Sequence, residues 1–201
     1  MSEKLHLTKQ EYSITKSDRI KLNKHNSIVI WFSGLSGSGK STIANEIETR
    51  LFKLNFRTYI LDGDNVRNGL NSDLSFSEND RTENIRRVAE VSKLLMEAGT
   101  IVLSAFISPF EKDRSLAKHC IGSENFVEVF VDCPIEVCES RDIKGLYKKA
   151  RLGEISNFTG ISSPFEKPTN PHIIVNSDKE SIEQSCEKIL AYILPKIILH
   201  E

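Results

Sequence analysis

Cysteine is scarce and its spacing uninformative: Cys120, Cys133, Cys138 and Cys186 form no C-x-x-C pair, which speaks against both a zinc site and a disulfide framework. Charge of one sign is not in excess either. The 201 residues carry 27 Lys+Arg against 28 Asp+Glu, a formal net charge of −1, so the chain lacks the electrostatic footprint of a nucleic-acid binder. No basic amphipathic helix points to a membrane surface. The apolar stretch over residues 27–32 falls far short of the ~20 residues that cross a bilayer. The polar start of the sequence has no apolar core of the kind a signal peptide carries, and with the unpaired cysteines this sets the expectation of a reducing, cytoplasmic home. Hydrophobic residues make up 39% and charged residues 27%, an ordinary globular composition that fits one core and one compact domain.

What is present alternates in period. Residues 1–26 are polar without sustained periodicity and read as an N-terminal arm or short packed segment ahead of a domain over 27–201. Residues 28–32 are continuously apolar and β-rich, the pattern of a strand buried on both faces. Residues 41–54 place Ile43, Ala44, Ile47, Leu51 and Leu54 three and four apart, which reads as a helix, and residues 57–61 as a second strand. The clearest helix spans 80–98, with Asp80 as N-cap, Glu83 three residues on and Gly99 as the stop. Further strands fall at 100–105, 126–131 and 172–175, and a closing helix at 179–194. Strands alternating with helices imply an α/β fold, a three-layer arrangement with a parallel sheet flanked by helices. Residues 144–171 break the alternation, being basic, glycine-containing and weakly periodic, the composition of a mobile lid.

Gly34-Leu-Ser-Gly37-Ser38-Gly39-Lys40-Ser41, with Thr42 next, matches G-x-x-x-x-G-K-[ST] between a buried strand and a helix. Its glycines let successive N–H groups turn inward onto phosphate oxygens, and the helix N-terminus adds partial positive charge at the same place. Lys40 can reach the β/γ oxygens, and the Ser41 hydroxyl can ligate Mg²⁺. The motif and its context predict a P-loop fold of the NTPase type that binds ATP. No N-K-x-D follows the loop, which disfavours a guanine nucleotide, and a chain this short disfavours a mechanical ATPase. A small-molecule kinase remains, with a lid that excludes water from the transferring phosphoryl group.

The second strand ends in Asp62-Gly63-Asp64, two carboxylates at the sheet edge where open α/β folds bind ligands. Carboxylates there can hold Mg²⁺ through water, and one can take the proton of an attacking hydroxyl. Asp64 is the preferred base and Asp62 the preferred metal-side group, although Asp-Gly is also good turn chemistry and spacing leaves the division open. Arg67, Arg81, Arg86 and Arg87 follow, with Phe76 among them. Guanidinium forks suit phosphate or sulfate oxygens, and an aromatic face can stack on a base. Arg86 and Arg87, adjacent on a helix, point about 100° apart and cannot both face one ligand. Trp31 and Phe32 read as sheet core, and His119 and His172 lack metal-ligand company.

The segments Asp62-Gly-Asp-Asn-Val-Arg67-Asn-Gly-Leu-Asn71 and Phe76-Ser-Glu-Asn-Asp-Arg81-Thr-Glu-Asn84-Ile-Arg-Arg87 resemble adenylylsulfate kinases, which phosphorylate the ribose 3′-hydroxyl of adenosine 5′-phosphosulfate. The likeness continues through Phe106-Ile-Ser-Pro109, Arg141-Asp-Ile-Lys-Gly-Leu-Tyr-Lys-Lys-Ala-Arg151 and Phe158-Thr-Gly-Ile161, and Thr15 to Arg19 with His25 are similar to the family's arm. It covers about residues 27–176. The resemblance implies acceptor contacts from Asp64, Arg67, Phe76, Arg81, Asn84, Ile107, Ser108, Lys144 and Phe158. Phe76 and Phe158 would sandwich the adenine, and Arg67 and Arg81 would bracket the phosphosulfate. Arg141 and the lid would cover ATP, with Lys144, Lys148 and Arg151 adding positive charge. The resemblance also implies a phosphoserine intermediate at Ser108; in-line transfer needs no covalent step, and a serine at a strand end before proline also serves as a turn or hydrogen-bonding residue, so both roles stay open. The resemblance further implies a homodimer and an ATP sulfurylase as pathway partner. Ser75 and Ser162 depart from the family's usual glycine and aspartate, which puts acceptor affinity in question. The competing readings are a kinase for another hydroxyl-bearing metabolite, favoured if Phe76 and Phe158 do not face each other across a cleft, and a silent nucleotide-binding protein.

Overall fold

The computed structural model describes residue 8 and residues 10–199. Residues 1–7 and 9, part of the segment read as an arm, lie outside that description. The elements run α1 (Lys16–Asn23), β1 (Val29–Ser33), α2 (Lys40–Lys53), β2 (Thr58–Asp62), α3 (Gly63–Arg67), α4 (Glu78–Glu97), β3 (Ile101–Ala105), α5 (Glu111–Ile121), β4 (Phe126–Asp132), α6 (Ile135–Arg141), α7 (Leu146–Arg151), β5 (Ile173–Asn176) and α8 (Ile182–Ile197).

The strands form one sheet in the order β2-β3-β1-β4-β5, parallel throughout. Central β1 shows why its apolar run is continuous. Ile30 and Phe32 face one core with α2 and α8, while Val29 and Trp31 face the other with α4 and α5. A strand covered on both faces has no solvent side to spend polar residues on. The three layers expected from the alternating pattern are therefore present. A third, smaller cluster gathers Cys133, Cys138, Tyr147, Ala150 and Phe158 beyond the C-terminal end of β4.

Helix starts differ from the sequence expectation where side-chain caps decide them. The N-cap of α4 is Ser77, whose side chain accepts from the Asp80 backbone N–H, so Asp80 sits inside the first turn rather than capping it. Asp80 nonetheless serves the cap, since Ser77 Oγ donates to its carboxylate at 2.9 Å. Helix α8 starts at Ile182 because Ser181 and Gln184 form a reciprocal capping box. Ahead of β1, Thr15 and Asp18 form the same box and nucleate α1. Asn23 then donates to the Gly99 carbonyl at 2.9 Å, and the buried His25 accepts the Arg57 backbone N–H on Nε2 at 3.1 Å. The segment before the sheet is thus tied to the end of α4 and the start of β2.

Candidate active site

The phosphate loop leaves the C-terminal end of β1 and enters α2. Its first glycine is forced by space: Gly34 has φ +147°, and a Cβ there would sit 2.6 Å from the Val131 carbonyl oxygen. Gly39, the N-cap of α2, has φ +99° in the left-handed region, so the helix opens with free N–H groups and no side chain in front of them. Lys40 is buried under the loop, its Nζ donating to the Leu35 carbonyl at 2.6 Å. Burial favours the neutral amine, and its pKa is lowered to about 8. Two contacts that sequence reasoning missed brace the loop from outside: Tyr147 Oη donates to Ser36 O at 2.9 Å, and Ser177 Oγ donates to Ser38 O at 2.6 Å. Arg141 joins them, donating to Ser177 O at 2.7 Å and Gly37 O at 3.3 Å.

The loop meets the two carboxylates at one sheet edge, and the structure distinguishes them. Ser41 Oγ donates to Asp62 Oδ2 at 2.6 Å, while Asp62 Oδ1 accepts the Asp64 N–H at 3.1 Å and caps α3. Asp64 instead pairs with Lys144 from the basic segment. The Ser41 hydroxyl and Asp62 carboxylate are the hard oxygen donors that Mg²⁺ takes alongside phosphate and water, so this pair fits that ion without a dedicated cage. Among the described residues no group of three or more His, Cys, Asp or Glu side chains could hold a metal ion.

Around the carboxylates, Arg67 lies 4.4 Å over the centroid of Phe76 and donates to Ser75 O at 3.1 Å. Arg81 donates to Phe76 O at 3.0 Å and bonds the Thr159 hydroxyl and Asn157 carbonyl, which joins the start of α4 to the turn around Phe158. Phe76 is well exposed, whereas Phe158 is buried edge-on against Tyr147 with centroids 4.9 Å apart. Among the described residues the two phenylalanine rings do not stack on one another, Arg67 covering one and Tyr147 the other. Asn84 is buried and accepts from Asn71 at 3.0 Å, so its side chain is engaged in packing. Ile107 accepts the Gly34 N–H on its carbonyl at 3.3 Å, and the next residue, Ser108, is buried with φ +45°.

Several other charges are answered locally. Glu83 takes both Arg86 and Arg87, and Arg87 also grips Asp73 in a bidentate pair at 2.7 and 2.8 Å. Arg151 pairs with Glu139 through two 2.9 Å bonds. Ser75 bonds the Asp80 carboxylate and accepts the Ser77 N–H at 3.2 Å, so it joins the cap of α4. Ser162 Oγ accepts the Phe158 N–H at 2.9 Å and closes that turn. Cys138, behind Lys40, has its thiol pushed up to about 12 chiefly by burial and stays protonated at neutral pH. The polar tips of Trp31 and Tyr147 are a signal that could have been read from sequence, since a buried indole N–H or phenol needs a partner. Nothing local announces Ser177.

A family model described as adenylylsulphate kinase matches residues 26–176. The adenylyl-sulfate kinase of Oceanobacillus iheyensis is 52% identical, the alignment covering 98% of this chain and 98% of that one. That of Clostridium acetobutylicum is 55% identical, over 94% of each. The solved structure of a Mycobacterium tuberculosis APS kinase in complex with AMPPNP and APS superposes with a TM-score of 0.81 at 44% identity, over 84% of this chain and 98% of that one.

Proposed function

The chain belongs to the adenylylsulphate kinase family, and from that premise we propose how its residues divide the work. The reaction is ATP-dependent: the γ-phosphoryl group passes to the 3′-hydroxyl of adenosine 5′-phosphosulfate, giving the 3′-phospho product and ADP in sulfate activation. The observation that carries the division of roles is the pair of contacts at the end of β2, where Asp62 turns to Ser41 of the phosphate loop and Asp64 turns to Lys144.

On the ATP side, Gly34, Gly37, Ser38, Gly39 and Thr42 shape the phosphate loop, Lys40 places its ammonium against the β/γ oxygens, and Arg141 braces the loop. Ser41 and Asp62 would hold Mg²⁺, which would supply charge stabilisation to the phosphates. On the acceptor side, Asp64 takes the proton of the 3′-hydroxyl, Arg67 and Arg81 address the phosphosulfate, and Phe76 and Phe158 take the adenine. Lys144, Asn84, Ile107 and Ser108 complete that side. Since Arg67 rests on the Phe76 ring, the base and the guanidinium compete for one face, and acceptor binding releases Arg67 toward the phosphosulfate. Residues 144–171 act as the lid, reaching the acceptor side through Lys144 and through the Arg81 contacts at residues 157 and 159. The family resemblance supports a homodimer, a cytoplasmic setting and an ATP sulfurylase that supplies the acceptor. Among the described residues no helix is long and apolar enough to cross a membrane.

Coupled ADP release from MgATP tests the reading. Release that requires adenosine 5′-phosphosulfate is the expected result, and equal release without it removes the acceptor assignment. Two variants examine the lid turn at Ser162. Ser162→Ala leaves the Phe158 N–H without its acceptor, so the acceptor KM rises by roughly 3- to 10-fold, the scale of one hydrogen bond, while the KM for ATP stays put. Ser162→Asp keeps an oxygen at that place and holds the wild-type value. Steady-state kinetics on the two variants, varying each substrate in turn, separates these outcomes.

A further inference from the structure

Ser108 has a backbone conformation that its own chemistry does not favour. At φ +45° it lies in the left-handed region, which residues with a Cβ enter at a cost and keep only when their surroundings impose it. The surroundings here are two buried donors, neither belonging to the ATP or acceptor contacts described above. Trp31 Nε1 donates to Ser108 Oγ at 3.0 Å, and Arg114 Nη1 donates to Ser108 O at 2.8 Å.

Both donors are themselves immobilised. Trp31 is fully buried in β1 with its ring between Phe106 and Phe126, at centroid distances of 6.0 and 5.9 Å. Arg114, on α5 and only 1% exposed, pairs with Glu111 and lies 3.2 Å from Glu128 Oε1. Glu128 is the cross-strand neighbour of Trp31 in the β1–β4 register, so the two donors to Ser108 rest on one patch of the sheet. A guanidinium and a carboxylate buried together cost more than an apolar pair of equal volume, and here the guanidinium of the pair also donates to the Ser108 carbonyl. The residue before Ser108 is gripped as well, since the Ile107 carbonyl accepts the Gly34 N–H of the phosphate loop.

We infer that Trp31 and Arg114 are positioning residues of the acceptor site: from behind the sheet they hold Ser108 in its left-handed conformation and so fix how the 107–108 segment meets the acceptor nucleotide relative to the phosphate loop. The inference rests on the reading that Ile107 and Ser108 contact the acceptor. It also assigns the Ser108 hydroxyl an acceptor role toward the core. With one lone pair taken by the indole N–H, its own hydrogen remains available for donation to a ligand.

The test uses the full chain with MgATP and adenosine 5′-phosphosulfate and compares Trp31→Phe, Ser108→Ala, their combination and Arg114→Lys. Trp31→Phe keeps an aromatic ring between Phe106 and Phe126 and deletes the donor. It raises the acceptor KM by about tenfold and leaves the KM for ATP unchanged, which a general loosening of the core would not do. Ser108→Ala raises the acceptor KM at least as far. The double variant is no worse than Ser108→Ala alone, because both changes delete the same bond. Arg114→Lys keeps the positive charge beside Glu128 but loses the fork that reaches Ser108 O, and raises the acceptor KM in the same selective way; it decides the matter if Trp31→Phe does not fold. Trp31 is the one tryptophan in the chain, so its emission reports the bond directly. Ser108→Ala shifts that emission before any ligand is added, and acceptor binding shifts it in the wild type.

If Ser108→Ala raises the acceptor KM while Trp31→Phe and Arg114→Lys leave it at the wild-type value, the positioning role is overturned and the acceptor-site reading stands. If Ser108→Ala itself leaves that KM unchanged, the placement of Ser108 on the acceptor falls and the inference falls with it. Equal rises in both KM values overturn the inference in favour of a purely structural role.

Discussion

Lys40→Ala is expected to lower kcat by roughly 10²- to 10³-fold, the scale seen when one preorganised donor to a developing charge is removed. The ammonium is poised before ATP arrives, buried beneath the loop and held by the Leu35 carbonyl at 2.6 Å. Negative phosphate oxygens then replace part of the solvation that burial took away. The same burial predicts a pH dependence. In the free enzyme Lys40 has a pKa of about 8, below the usual 10.5, so kcat/KM for ATP falls as pH rises through 8 and the ammonium is lost. Bound phosphate favours the charged form and pulls the value back up, so kcat itself declines at higher pH than kcat/KM does. Stability moves the other way. Between pH 8 and 10.5 the unfolded chain holds the proton that the folded chain has released, so this group's contribution to folding becomes more favourable with rising pH. A pH–rate profile paired with thermal melts across pH 7 to 10 checks both signs. A profile flat through pH 8 removes Lys40 from the free-enzyme titration.

The features legible in the sequence are those whose cause is local. The phosphate loop could be read because its glycines, lysine and serine are contiguous and their geometry follows from backbone sterics. Strand β1 could be read because burial on both faces leaves an unbroken apolar run. The cap of α4 lies three residues before the Asp80 that the sequence pattern favours, because Ser77 and Asp80 are both good cap residues and the choice between them is made by how the chain enters the helix after Ser75. The bracing of the phosphate loop by Tyr147 and Ser177 depends on which distant segments fold back onto it, and no periodicity encodes that. The same holds for Trp31. Its burial followed from its strand, but the identity of its hydrogen-bond partner required the end of β3 to be in place. The aromatic and basic residues of the acceptor side were legible as types, whereas the pairing of Arg67 with Phe76 and of Phe158 with Tyr147 was not, because it depends on which competing partner is at hand.

Asp62 and Asp64 show how two like residues come to carry different work, and their variants are expected to fail in different ways. They are two apart at the turn from β2 into α3, where the first must cap the helix and the second must project from it. Asp62 is accordingly held from two sides, by the Ser41 hydroxyl and by the Asp64 N–H. Asp64 has no such hold, and its carboxylate reaches across to Lys144. Replacing Asp64 with Asn removes the proton acceptor while keeping shape, so kcat drops by roughly 10²- to 10⁴-fold, the contribution of a positioned general base, with the KM for ATP little changed. Replacing Asp62 with Asn keeps an oxygen for the α3 cap but removes the charge beside Ser41. The Asp62→Asn enzyme therefore needs more Mg²⁺ for half-maximal rate and recovers activity as Mg²⁺ is raised, whereas Asp64→Asn does not recover at any Mg²⁺ concentration. Initial rates across a Mg²⁺ titration at saturating substrates discriminate the two. Identical Mg²⁺ curves for both variants would mean that the carboxylates share one role, and that the contacts to Ser41 and Lys144 reflect packing of the free enzyme rather than its chemistry.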